Sequence, residues 1–244
     1  YKNRTGKNYD ERIKIDVYKD LKKIDNKIYV SMYPMAHLLS KNSDLFPLSG
    51  VSNVKSIHCN ENGYYSIYLS DRFGFNNPDF EWDSKEIEFL LIGDSYAHGA
   101  CVNRPDDMAS SLREISKKNV LNLGFTGNGP LIEYATLKEY LPKKVKNVLW
   151  IYYAGNDLRE LTRELKNPLL VKYLDKNFSQ NLSVRQDEIN FLNKKIISQL
   201  VNHTEFENMK KNWKIKFKIL KFLQLDNTKD KIKVLFYKPN HKIE

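Results

Sequence analysis

Three short apolar runs, each followed by a turn rich in glycine or asparagine, most constrain the fold of this 244-residue chain. The runs cover residues 89–92, 120–123 and 147–153. Between them, residues 106–117 and 131–141 carry apolar side chains at helical spacing, and Pro130 precedes the second stretch at a position that favours helix initiation. Strands that alternate with helices of about a dozen residues predict βαβ units and a parallel sheet.

The loops after these strands are expected to meet at one edge of the sheet, where ligands bind in open α/β folds. They carry Ser95, Gly127 and Asn156. A serine that attacks an ester creates an oxyanion, which preorganised donors stabilise. The N–H groups of Ser95 and Gly127 and the amide of Asn156 can supply three such donors. A structural alternative stays open: Gly127 would only close a turn, and Asn156 with Asp157 would only cap a helix.

These residues resemble the sequence blocks of the SGNH (GDSL-type) hydrolases, a superfamily of serine esterases, lipases and carbohydrate O-acyl esterases. Gly93-Asp94-Ser95 resembles the first block, residues 122–127 the second, and Gly155-Asn156-Asp157 a looser form of the third. The resemblance implies Ser95 as nucleophile, the three oxyanion donors named above, Asp94 and Asp157 as supporting residues, and no metal or other cofactor. It covers residues 85–160.

The resemblance also implies a flavodoxin-like α/β/α fold with a parallel sheet of order 2-1-3-4. Residues 233–237 are expected to form the fourth strand, and a fifth strand is expected to be missing. We interpret residues 1–83 as an irregular N-terminal extension that packs on the core, and residues 84–244 as the hydrolase-like domain. Within the extension, residues 10–29 read as helical, residues 64–69 as a strand and residues 71–78 as a specific loop.

The general base is the feature that the resemblance does not supply. The fourth block of the family is Asp-X-X-His, and none of the five histidines here has an aspartate three residues before it. His98 follows Ser95 along a short helix and His241 stands in the wrong block, so both are disfavoured as bases. His37, His58 and His203 are expected on the surface or in loops. We therefore expect the chain to stop before the fourth block and to show weak turnover or none by itself.

Composition indicates a folded enzyme and argues against a nucleic-acid partner. The chain is 41% hydrophobic and has a net charge of +10, which is concentrated in residues 1–30 and 194–233. Neither a glycine-rich phosphate loop nor zinc-ligand spacing occurs. Residues 206–220 have an amphipathic pattern that favours a helix packed on the core with a solvated lysine face. An interfacial helix on an anionic membrane is the less favoured alternative.

The sequence thus predicts a serine esterase acting on a lipid ester or an O-acylated carbohydrate, in a bacterial cell envelope or periplasm. The alternatives are an O-acyltransferase on an envelope polysaccharide and a non-catalytic binding domain of the same fold. Cys59 and Cys101 are expected to be free buried thiols, with a disulfide as the alternative, which would indicate an oxidising compartment.

Overall fold

The computed structural model describes residues 2, 6, 8–38 and 44–223. The chain divides into two compact units, Tyr1–Ser198 and Gln199–Glu244. The expected fourth strand at residues 233–237 and the candidate base His241 lie outside the described residues. The 83/84 domain boundary stays a prediction.

The described part is mixed α/β. Its strands are β1 (Ile28–Val30), β2 (Lys55–Ile57), β3 (Ile67–Leu69), β4 (Ile87–Gly93), β5 (Val120–Asn122) and β6 (Val145–Ile151). Its α-helices are α1 (Lys14–Lys22), α2 (Ser95–His98), α3 (Met108–Ser116), α4 (Pro130–Tyr140), α5 (Asp157–Glu164), α6 (Pro168–Val171) and α7 (Gln186–Leu223). No helix among the described residues has the length and apolar character that a membrane crossing requires.

The three apolar runs form a parallel sheet of order β5-β4-β6. Leu90 in the central strand pairs with Leu121 on one side and Val148 on the other. The predicted α/β alternation is confirmed, and β6 begins and ends two residues earlier than its apolar run. Several side chains of β6 are exposed, whereas the second half of β4 is buried, because β4 has a neighbouring strand on both sides.

The helices predicted over residues 106–117 and 131–141 are confirmed to within two residues at each end. The helix expected at 106–117 is α3, and the carboxylate of Asp107 caps it by accepting the Ser110 N–H at 3.0 Å. The helix expected at 131–141 is α4, which begins at Pro130. Residues 206–220 lie in α7. The packing of these residues on the core as an amphipathic helix stays a prediction.

Residues 1–83 contain a second, three-stranded sheet of order β1-β2-β3, in which β1 and β2 are parallel and β2 and β3 antiparallel. The prediction of a helix over residues 10–29 is too long at both ends, since α1 covers Lys14–Lys22. Asp25 accepts the N–H of Lys27 at 2.8 Å in a tight turn, and the chain then pairs as β1. The strand expected at residues 64–69 is limited to β3.

The largest hydrophobic cluster lies against the sheet and joins both predicted regions. Leu90 and Leu121 from the sheet are buried with Ile132 from α4, and Leu48 and Phe75 from the N-terminal region belong to the same cluster. Contacts of this kind keep residues of the extension close to the strand ends that carry the candidate site.

The expectation of free thiols is wrong, because Cys59 and Cys101 form a disulfide. The segment after β2 runs beside the loop after α2, and the two Cα atoms lie 4.8 Å apart, a separation that suits a disulfide. The bridge links the N-terminal region directly to the neighbourhood of Ser95.

Candidate active site

Ser95 stands at the carboxyl end of the central strand, as predicted. Strand β4 ends at Gly93, and Asp94 is the N-cap of α2, with its side chain accepting the Tyr96 N–H at 3.2 Å. Ser95 is therefore the first residue of the helix. It lines a cleft of about 590 Å³ together with Asp94, Asn156 and Tyr153.

One carboxylate oxygen of Asp94 joins the candidate nucleophile to the candidate amide donor. Asp94 Oδ2 accepts hydrogen bonds from Ser95 Oγ at 3.4 Å and from Asn156 Nδ2 at 3.3 Å. The Asn156 side chain makes no capping bond to α5. Asn156 thus holds the N-cap position of α5, but its side-chain amide donates to Asp94, and the fold brings it close to Ser95 across 61 residues of sequence.

Asp157 lies outside the cleft lining and supports the turn that presents Asn156. Its side chain is buried, and Oδ2 accepts the Tyr153 N–H at 2.6 Å. Burial raises the pKa of Asp157, and the backbone N–H of Tyr153 opposes that rise.

Gly127 follows Thr126, which lines the cleft, although Gly127 itself does not. Its φ of +80° is a left-handed conformation that glycine adopts without steric cost. Among the described residues, the backbone N–H groups of Ser95 and Gly127 donate to no partner. Ser95 lines the cleft and can offer its N–H to a ligand oxygen there, whereas Gly127 lies next to the lining residue Thr126.

A buried carboxylate holds the loop that carries Gly127. Glu164 on α5 accepts the Gly129 N–H at 2.6 Å through Oε1 and the Leu131 N–H at 2.9 Å through Oε2. It thereby caps α4, whose N-cap residue is a glycine without a side-chain acceptor. Burial raises the pKa of Glu164 to about 7.

The short helix α2 is braced at its carboxyl end by two asparagines. Asn76 Nδ2 donates to the carbonyl of His98 at 3.0 Å, and Asn122 Nδ2 donates to the carbonyl of Ala97. Gly124 lies directly beneath the helix, and a Cβ there would come within 2.4 Å of the Ala97 Cβ. These contacts hold the turn that presents Ser95.

The loop at residues 71–78 is organised by the buried carboxylate of Asp71. Its Oδ1 accepts the N–H groups of Phe73 and Phe75 at 2.9 Å, and its Oδ2 accepts from Asn77 and Trp82. Burial raises the pKa of Asp71 to about 6 despite these four donors. The same loop supplies Asn76 to α2, so it belongs to the support of the candidate site.

His58 lies in a loop segment after β2, as expected, but it is buried with His98 in a hydrogen-bonded chain and is not on the surface. His98 Nδ1 accepts the Thr126 N–H at 3.1 Å, so the proton of its ring is on Nε2, which donates to the Tyr68 hydroxyl at 3.1 Å. His58 Nε2 lies 3.2 Å from Thr126 Oγ1. Burial lowers the pKa of His58 to about 3 and that of His98 well below its usual value.

His98 consequently lacks the contact that a general base needs. Both of its ring nitrogens are used by Thr126 and Tyr68, and the partner of Ser95 Oγ is Asp94. His37 is also buried, against expectation, with Nε2 2.8 Å from Asn193 Oδ1. His203 on α7 is exposed, as expected. Within the described residues, no histidine hydrogen-bonds Ser95.

No family model matches the chain, and neither a curated protein nor a solved structure matches it. Among the described residues, no group of three or more His, Cys, Asp or Glu side chains is arranged to hold a metal ion.

Sequence reasoning missed the supporting residues of the site. The roles of Thr126, Glu164 and the asparagines depend on partners more than 20 residues away, which local patterns do not reveal. A weak signal existed for residues 71–78, where Gly, Asn and Pro cluster between apolar residues and indicate a specific loop.

Proposed function

We propose that this chain carries the nucleophile and the oxyanion site of a serine-dependent ester hydrolase of the SGNH type. Ser95 Oγ attacks the acyl carbonyl, and the Ser95 and Gly127 N–H groups with the Asn156 amide receive the oxyanion. The alcohol leaves with a proton, and water then hydrolyses the acyl-serine. The observation that carries the proposal is the meeting of Ser95 and Asn156 on Asp94 Oδ2 in one cleft.

The availability of donors supports the oxyanion role. The N–H groups of Ser95 and Gly127 have no partner within the described residues, and Asn156 has only a long bond to Asp94 at 3.3 Å. A developing oxyanion gives these donors a stronger acceptor than any they have at rest. When the oxyanion forms, the Asn156 amide would leave Asp94 Oδ2 and donate to the oxyanion. This exchange links substrate binding to the release of Ser95 Oγ from the same carboxylate oxygen.

The flavodoxin-like fold and the substrate class belong to the same proposal. The order β5-β4-β6 supports the first three positions of the expected order 2-1-3-4. A lipid ester and an O-acylated carbohydrate remain the two candidate substrates, and hydrolysis is proposed over acyl transfer. The disulfide supports an oxidising location such as the periplasm.

The test is labelling of Ser95 in this protein by a fluorophosphonate. We expect Ser95→Ala to abolish labelling and the matched variant Ser110→Ala on α3 to be labelled as the wild type is. Labelling should be slow, on the order of 10⁴-fold below that of a serine with a hydrogen-bonded base, because no histidine among the described residues hydrogen-bonds Ser95.

A non-catalytic binding domain is the second candidate, favoured by the absence of any histidine contact to Ser95 within the described residues. No labelling of the folded protein would support that alternative. Rapid labelling would show that another residue of the protein acts as base.

A further inference from the structure

A second cleft lies at the opposite end of the parallel sheet from Ser95. It has a volume of about 490 Å³ and is lined by residues that precede β4 and β6, including Lys85, Lys143 and Lys144. Seven residues of β4 separate the two ends, which is about 23 Å of extended strand. We propose that this amino-end cleft binds an anionic saccharide, a sugar that carries a carboxylate or a phosphate.

The cleft presents positive charge that nothing in the described chain neutralises. Lys85, Lys143 and Lys144 are exposed, and none of them forms an ion pair with a described residue. They converge because the starts of β4 and β6 are neighbours, with the Ile87 N–H donating to the Lys144 carbonyl at 2.9 Å. Each ammonium group has three donors for an oxyanion ligand.

The acidic groups near the cleft are already used. Asp79 and Asp83 pair with Arg72 at 2.8 and 2.9 Å. Glu139 is buried, and its two oxygens accept from Tyr173, Ser179, Gln180 and Leu182. The three lysines therefore keep their charge available to a ligand, while the arginine is committed to the protein.

The floor of the cleft is aromatic and suits the ring of a sugar. Trp82 and Phe73 are half-buried, with ring centroids 4.6 Å apart, and Tyr140 packs against Phe73. Leu141 on the rim is 53% exposed. Apolar walls with a few charged groups, and a volume of several hundred Å³, are typical of small-molecule sites.

Charge complementarity argues for an occupant from outside the chain. The two strongly charged segments of the protein, residues 1–30 and 194–233, are both basic and would be repelled by the three lysines. A neutral sugar would use the aromatic floor and leave the ammonium groups without a partner. An anionic saccharide satisfies both parts of the cleft.

The test is a titration of the chain followed by NMR of its three tryptophan indole N–H signals, one of which is Trp82. The probes are trigalacturonate, glucose 6-phosphate, maltotriose and inorganic phosphate. We expect the Trp82 signal to shift with an anionic sugar while the Trp150 signal stays in place. Binding should weaken on the order of tenfold in Lys143→Glu/Lys144→Glu and with added salt.

The matched control is Lys117→Glu/Lys118→Glu, an exposed lysine pair that precedes β5 at the same sheet edge and does not line the cleft. It should bind as the wild type does. Comparison of the carboxylate and phosphate probes identifies the preferred anion. The proposal would be overturned if maltotriose or inorganic phosphate bound as tightly as the anionic sugars, or if neither anionic sugar bound. Equal weakening in the control variant and in Lys143→Glu/Lys144→Glu would also overturn it. None of these outcomes depends on esterase activity, so the two proposals fail separately.

Discussion

At the scale of single residues, buried carboxylates behind the cleft stand out. Glu133 on α4 is buried, and its Oε2 accepts the indole N–H of Trp150. Burial is the largest cause that raises the pKa of Glu133 to about 8, and the Trp150 hydrogen bond opposes the rise. The negative charges of Asp157, Asp94 and Glu164 add to the rise. Glu133 is therefore neutral in the folded protein at pH 7, and it adds no further charge beside Asp94.

This state of Glu133 predicts a pH-dependent stability. Between its ordinary pKa of 4.5 and about 8, the folded protein holds a proton that the unfolded chain has released. The free energy of unfolding should consequently fall as pH rises through this window. Glu133→Gln has no such proton. Between pH 5 and pH 8, the free energy of unfolding should therefore fall further in the wild type than in the variant, by at least about 1 kcal/mol.

Urea unfolding of both proteins at several pH values measures the difference in how their stability depends on pH. Glu114→Gln, at an exposed position on α3, controls for the removal of a surface carboxylate. Parallel pH profiles for the wild type and Glu133→Gln would contradict the assignment.

At the scale of elements, the four-residue helix α2 is too short to be stable alone. Its stability comes from Asn76 and Asn122, which donate to its terminal carbonyls, and from Gly124, which lets it approach β5 closely. The loop at residues 71–78 therefore contributes to the site without lining the cleft.

Asn76→Ala should lower the free energy of unfolding by about 2 kcal/mol, because it leaves the buried His98 carbonyl without its side-chain donor. It should also speed amide exchange at Ala100, whose N–H bonds to the Ser95 carbonyl at 3.0 Å. Urea unfolding and hydrogen exchange measure the two effects.

Asn147→Ala is the matched control, since Asn147 also donates its amide to a backbone carbonyl, that of Glu88 at 3.1 Å, but at an exposed position. It should cost less than about 0.5 kcal/mol. A similar loss in both variants would argue against a special role of Asn76.

At the scale of the whole molecule, the disulfide and the hydrophobic cluster join the N-terminal region to the strand ends. The bridge closes a loop with a sequence separation of 42. In the chain-entropy description, a loop of that length stabilises the folded state by about 4 kcal/mol.

Cys59→Ser/Cys101→Ser should therefore unfold at a clearly lower urea concentration than the oxidised wild type. Reductant should lower the midpoint of the wild type and leave that of the double variant unchanged. The stabilising role of the disulfide would be refuted if reductant left the urea midpoint of the wild type unchanged although its thiols were shown to be reduced.

Much of the fold could be predicted because the signals are local. Apolar runs, helical spacing of apolar residues and Pro130 indicated the strands of the parallel sheet and helices α3 and α4 within a few residues. The helix expected over residues 10–29 was too long, since pairing of β1 with β2 outweighs local helical spacing.

The sequence alone indicated to within about two residues where the three parallel strands end, and so which loops carry Ser95, Gly127 and Asn156, because turn chemistry acts over a few residues. The tertiary structure decided that Asp94 joins Ser95 to Asn156, that His58 and His98 are buried, and that Cys59 meets Cys101. These outcomes depend on chain paths that bring distant residues together. Burial then sets the protonation of the two histidines, since removing a charge from water disfavours the charged form. A local sequence pattern does not show which residues become buried.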